Sequence, residues 1–220
     1  MGEKEIIIPD NLSSFIHKLE PKTEEEVKAW EQKQKDIERE QFYATTSNVG
    51  KRYKDKTLND FIIKNEEQEK IIEKVKQYIS DVNEGKDRTL WLCGATGTGK
   101  TLLGSCICRE TQGVYCKTYD IKDDLLENHF SRRSVFKKYS NYRSLVIDEV
   151  GRCEQEKDFM FQLLNERYEN EVSTVLITNL SKGELKERLG LPLYDRFVSN
   201  CISLTFNGDS YRKTERQVNI

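Results

Sequence analysis

The chain has 220 residues, enough for one sizeable hydrophobic core and a smaller appendage. Its charged residues make up 34% of the composition and nearly cancel, to a formal net charge of −2, so an anionic polymer would have to be met by local segregation of charge rather than by overall basicity. No apolar run approaches membrane-spanning length, Ile6-Ile7-Ile8 before Pro9 is too short for the apolar region of a signal peptide, and the six cysteines contain no C-x₂-C pair; the reading is a protein of a reducing cytoplasm, with no membrane, disulfide framework or zinc module.

Residues 1–50 differ from the rest. They hold Pro9, Pro21 and a Glu/Lys/Gln-rich stretch from Thr23 to Gln41, whose apolar anchors Val27, Trp30 and Ile37 fall on one helical stripe. Thr23 with Glu26 three residues later is a capping box that starts this helix. So narrow a stripe builds no core of its own: the helix either docks on a partner or packs lightly on the main domain. Thr45–Gly50 reads as a linker. The domain division is therefore a charged helical extension over residues 1–50 and a globular domain over residues 51–220.

The globular pattern opens with Leu58, Phe61 and Ile62 and a helix from Asn65 to Val82, with Ile71, Ile72, Val75, Tyr78 and Ile79 on one face and Asn83-Glu84-Gly85 as its stop. Apolar runs then alternate with helical segments. The runs are Thr89–Cys93, Val114–Tyr119, Leu145–Asp148, Val175–Thr178 and Cys201–Phe206. Alternation of this kind predicts right-handed βαβ units, a parallel sheet covered by helices on both faces, and ligand chemistry at the carboxyl ends of the strands.

The first strand leads into Gly94-Ala95-Thr96-Gly97-Thr98-Gly99-Lys100-Thr101, which satisfies G-x-x-x-x-G-K-[ST] at every fixed position, and a helix follows from Leu102. The glycines let successive backbone N–H groups converge on phosphate oxygens, and the positive end of the helix adds to that field. Lys100 would reach the β- and γ-phosphates and Thr101 would hold Mg²⁺. The strand Leu145-Val146-Ile147 ends in Asp148 and Glu149: Asp148 is a second Mg²⁺ residue, and Glu149 a general base that polarises the attacking water, which points to hydrolysis. Asn179, after Val175–Thr178, is either a sensor of the γ-phosphate or a turn residue. The absence of N/T-K-x-D argues against a GTPase and the absence of L-S-G-G-Q against a transporter ATPase, which leaves ATP as the nucleotide.

A run of basic residues free of Asp and Glu lies between Asn128 and Ile147. It carries Arg132, Arg133, Lys137, Lys138 and Arg143, interleaved with Phe130, Phe136, Tyr139 and Tyr142. Basic groups with aromatic faces suit single-stranded nucleic acid, and they equally suit a helix anchored by its aromatics with a solvated basic face.

Over residues 49–212 the chain resembles the DnaC-type replicative helicase loaders, with the IstB transposition helper ATPases as close relatives. The resemblance is carried by Lys51–Phe61, the phosphate loop, Leu145–Gly151, Leu176–Asn179, Tyr194-Asp195-Arg196-Phe197 and Phe206–Arg212. It implies an AAA+ P-loop fold, three-layer αβα on a five-stranded parallel sheet. The nucleotide would be held by Gly94–Thr101 with Leu102. By the same resemblance Asn179 is the γ-phosphate sensor, Arg196 an arginine finger that completes the ATP site of a neighbouring subunit, Arg212 a second sensor, Arg188 an auxiliary basic residue, and Phe130 a single-strand-contacting aromatic. The tail from Asn207 to Ile220 is too short for a full C-terminal lid. The implied activity is an ATPase that binds the replicative DNA helicase and delivers it onto single-stranded DNA. The alternatives are a helper ATPase that binds duplex DNA and recruits a transposase, and a nucleotide-gated binding protein with negligible turnover.

Overall fold

The computed structural model describes residues 23–128, 131–153, 156–198, 201–208 and 210–211, with the side chains at 182, 193 and 196–198 left aside. The chain forms two compact units, residues 1–38 and 39–220. In the first, helix α1 (Glu24–Thr46) begins with the expected box: the Thr23 amide donates to Glu26 Oε2 at 2.9 Å and the Glu26 amide to Thr23 Oγ1 at 3.2 Å. Val27, Trp30 and Ile37 on this helix are exposed.

The division between the two units falls within α1. The last turns of the helix belong to the second unit, where Tyr43 is buried and stacks under the Arg109 guanidinium, 5.0 Å from its ring centroid. The following residues are bound as well: the Asn48 amide donates to Tyr115 O at 2.9 Å and the Tyr115 amide to Ser47 Oγ at 3.3 Å. Hydrogen bonds to a strand edge turn a linker-like composition into fixed structure.

The second unit continues through α2 (Lys51–Lys54), a 3₁₀ turn (Leu58–Asp60) and α3 (Glu66–Asn83). It then alternates β1 (Thr89–Gly94), α4 (Lys100–Glu110), β2 (Val114–Lys117), α5 (Thr118–Glu127), α6 (Arg132–Asn141), β3 (Ser144–Val150), α7 (Glu156–Glu169), β4 (Ser173–Thr178), α8 (Lys182–Leu189), α9 (Leu191–Val198) and β5 (Cys201–Phe206). Asn65 caps α3 by accepting the Gln68 amide at 3.0 Å, and Gly85 at φ 88° follows its end. Strand β2 stops at Lys117, two residues short of the apolar run, because Asp120 accepts the Lys117 amide at 2.7 Å and Thr118 starts a helix.

The five strands are parallel, in the order β2-β3-β4-β1-β5. Their side chains alternate between two cores. Trp91, Cys93, Leu145, Ile147 and Leu176 pack with residues of α5, α6, α7 and α8, whereas Leu90, Leu92, Val146, Val175 and Ile177 pack with α3 and α4. Both faces of the sheet are covered, as the near-continuous apolar strands require. The order places β4 and β5 on either side of β1, with β3 next to β4, so the carboxyl ends of four strands surround the loop after β1.

A charged side chain is built into this frame. Arg167 of α7 is fully buried and donates to Tyr139 O at 2.6 Å, Tyr142 O at 2.9 Å, Thr174 Oγ1 at 2.9 Å and Ser173 O. It joins the end of α6 to the start of β4, and burial brings its guanidinium down to about 10. No helix among the described residues is long and apolar enough to cross a membrane.

Candidate functional site

The loop after β1 folds as the glycine spacing predicts. Gly99 caps α4 in a left-handed conformation, φ 94°, and a Cβ there would stand 2.6 Å from the ring of Phe61. The loop is tied to β5 where the Ala95 amide donates to Phe206 O at 3.1 Å. Lys100 is buried, and its ammonium donates to the carbonyls of Gly94 at 2.8 Å and Ala95 at 2.6 Å. Its positive charge therefore lies inside the bowl of the loop, at the amino end of α4.

The end of β3 brings two acids to the same place. Neighbouring strand residues normally point to opposite faces. Here the pairing of β3 with β4 shifts between Ile147 and Val150, and Glu149 sits at φ 61°. This bulge turns Glu149 so that both Asp148 and Glu149 line one cavity of about 440 Å³ with Lys100, Thr101 and Asn179. Thr178 braces the bulge by donating to Val150 O at 2.7 Å.

Asp148 is buried and well supplied with donors: Thr101 Oγ1 at 2.9 Å, the Glu149 amide at 2.6 Å, and the Tyr115 hydroxyl. Burial and then the charge of Asp148 push the Tyr115 phenol far above its ordinary range, so it stays a donor. Glu149 is held from two sides, by Lys117 Nζ at 3.4 Å and Arg152 Nη1 at 3.7 Å. Thr101 Oγ1 and the Asp148 carboxylate form a pair of hard oxygen donors at the cavity wall. Among the described residues no cluster of three or more His, Cys, Asp or Glu could enclose a metal. One hydroxyl and one carboxylate fit Mg²⁺, which keeps most of its positions for phosphate oxygens and water.

The far lining of the cavity comes from Arg52, Tyr53, Lys56, Phe61, Ile62 and Tyr211. Segment 51–61 is held there by α4, since Arg109 donates to Lys56 O at 3.0 Å and to Lys54 O.

The structure thus brings together Gly94–Leu102, Asp148, Glu149 and Asn179. Arg196 lies in α9, its side chain outside the described set; Phe130 and Arg212 also lie outside the described residues. Arg188 pairs within the chain, to Glu156 Oε1 at 3.4 Å and Cys153 O at 3.2 Å. In the basic run, Phe136 and Tyr139 are core residues. Lys138 and the Tyr139 hydroxyl both meet Asp124 Oδ2 at 2.8 Å, and Arg143 donates to Asn83 O at 3.1 Å. Arg132, Arg133 and Lys137 stay exposed, the last two beside Glu166 and Glu169. Tyr115, Lys117, Arg152 and the far lining were not found from the sequence. The signal for Lys117 is the parallel pairing of β2 with β3, which sets it beside Asp148.

The profile of the family described as "IstB-like ATP binding protein" matches residues 10–219. A "Replicative helicase loader DnaC" of Buchnera aphidicola subsp. Baizongia pistaciae is 27% identical over 232 aligned positions, covering 94% of this chain and 92% of that protein. An "Insertion sequence IS232 putative ATP-binding protein" of Bacillus thuringiensis subsp. berliner is 30% identical over 136 positions, 54% of this chain and 53% of that protein. Among solved structures, one of the DnaC helicase loader superposes with a TM-score of 0.65 at 22% identity, covering 72% of this chain and all of that one, a likeness of fold. A family match over nearly the whole length, on a P-loop fold whose loop, acids and the polar end of β4 meet in one cavity, places the chain in the family of IstB-like ATP-binding proteins.

Proposed function

We propose that the chain is an ATPase that engages a replicative DNA helicase and delivers it onto single-stranded DNA, with ATP hydrolysis timing release. The convergence of Lys100, Thr101, Asp148, Glu149 and Asn179 in one cavity supports the hydrolytic part. The loop amides and Lys100 bind the triphosphate, and Thr101 and Asp148 would hold Mg²⁺, which neutralises phosphate charge when bound. Glu149 accepts a proton as water attacks the γ-phosphorus, the bond from that phosphorus to the β–γ bridging oxygen breaks, and ADP leaves with phosphate. Asn179 orients the γ-phosphate or the water from the end of β4. Arg196 on α9 is the candidate finger that completes a neighbour's site, which makes the working form an oligomer.

The observation that carries the helicase assignment is the near end-to-end match to a helicase loader, 94% of one chain and 92% of the other. The exposed stripe Val27, Trp30 and Ile37 on α1 is the candidate docking face. Exposed Arg132, Arg133 and Lys137, with Lys138 and Phe130, are the candidate DNA contacts. A transposition helper is favoured by the 30% identity to the insertion-sequence protein, which covers about half of the chain. Co-purification decides between them: a stable complex with a hexameric helicase supports the first, and duplex DNA bound together with a transposase supports the second.

A further inference from the structure

Tyr211 belongs to none of these roles, yet it touches both halves of the cavity. Its amide donates to Gly97 O at 2.9 Å, which ties the chain to the crest of the phosphate loop. Its hydroxyl donates to Ile62 O at 2.6 Å. Its ring stands edge-on to Phe61, centroids 6.0 Å apart at 71°, and Lys64 Nζ lies 4.5 Å from its centroid. The approach is close: a Cβ on Gly97, at φ 84°, would lie 2.1 Å from Ser210 Oγ. Segments around positions 62, 97 and 211 are thereby joined at one point.

The lining of the cavity is mixed. Lys100, Asp148 and Glu149 supply charge and Thr101 a hydroxyl, while Tyr53, Phe61, Ile62, Leu102 and Tyr211 supply apolar and aromatic surface, with Arg52, Lys56 and Asp60 beside them. A nucleoside triphosphate also joins a charged tail to a flat base. We propose that Tyr211 is a positioning residue for the base: a strap that fixes the segment around Ile62 against the phosphate loop and forms one wall of the base end. This rests on the reading of the cavity as an ATP site. A wall held in advance by two hydrogen bonds and an aromatic contact does not have to be ordered when ligand arrives, which raises affinity.

The test is calorimetric binding of ATP, and separately of inorganic tripolyphosphate, to the full chain and to Tyr211→Phe and Tyr211→Ala. Tyr211→Phe removes only the hydroxyl, with its bond to Ile62 O and its contact with the Gln68 side chain, and should weaken ATP about threefold to tenfold, while Tyr211→Ala should weaken it at least ~30-fold. Tripolyphosphate, which has no base, should be affected by less than about twofold in both variants, and the melting temperature of ligand-free Tyr211→Phe should stay within ~2 °C of wild type. An unchanged ATP affinity in Tyr211→Ala, with wild type binding normally, would overturn the strap alone. Equal losses for ATP and tripolyphosphate would overturn it too, by making Tyr211 a support of the phosphate loop only. Failure of the wild-type chain to bind ATP would overturn the reading of the cavity, and the strap with it.

Discussion

Glu149→Gln isolates the chemistry of the site from its architecture. The substitution keeps the length and shape of a side chain that stands at φ 61° on a bulge, so the backbone has no new reason to relax. It removes two ion pairs, Lys117 at 3.4 Å and Arg152 at 3.7 Å, all three side chains being between 29% and 57% exposed. Pairs this accessible contribute about 0–1 kcal/mol each, so the melting temperature should move by no more than ~8 °C. Asp148 keeps Thr101 Oγ1 at 2.9 Å and the Tyr115 hydroxyl, so nucleotide affinity should stay within about threefold of wild type. If Glu149 is the base, as proposed, hydrolysis should lose its proton acceptor, worth about 10²- to 10⁴-fold, or ~3–5 kcal/mol of barrier. Single-turnover hydrolysis of radiolabelled ATP, read beside a binding titration and a melt, separates the three effects. Turnover above about a tenth of wild type would refute Glu149 as the base.

Three further outcomes follow from the geometry. Lys100→Ala removes the cation from the bowl of the loop and should weaken ATP by at least ~100-fold in the same titration while the chain stays folded. Arg167→Met removes the donor to the buried carbonyls of Tyr139 and Ser173 and the half-buried carbonyl of Tyr142 and should cost about 3–5 kcal/mol in urea unfolding, even though methionine fills much of the space. Asp60, held by Lys56 and Thr57, and Asp81, held by Arg88, Lys86 and Gln77, are each lowered from 3.8 to about 2. Their contribution is full above the ordinary aspartate range and is lost as pH falls through about 2, so thermal melts should fall off between pH 4 and 2, less steeply in Asp81→Asn.

The parts of this site that lie within one stretch of chain were legible in the sequence. The phosphate loop, the acids after Ile147 and the polar end of β4 are each a local pattern, and the apolar runs located all five strands. What could not be read depends on which strands become neighbours. Tyr115 reaches Asp148, and Lys117 reaches Glu149, only because β2 pairs with β3 across two helices. Glu149 enters the cavity through a bulge that leaves no mark on its own residue type, since the sequence shows only an apolar run, Leu145–Asp148, with two acids at its exit. Arg167 lies in Asn165-Glu166-Arg167-Tyr168-Glu169, which has the composition of a solvated helix face, yet it is fully buried. The basic run illustrates the opposite hazard: Phe136 and Tyr139 sit among cations as stacking residues would, and packing against the sheet claims both for the core.

The proposed function is tested most directly by the amount of hexameric replicative helicase retained on circular single-stranded DNA, with the chain present or absent and with ATP. The account predicts that the chain raises retention in an ATP-dependent way, and that Lys100→Ala does not. Unchanged retention, with the chain binding ATP but not the helicase, would contradict it.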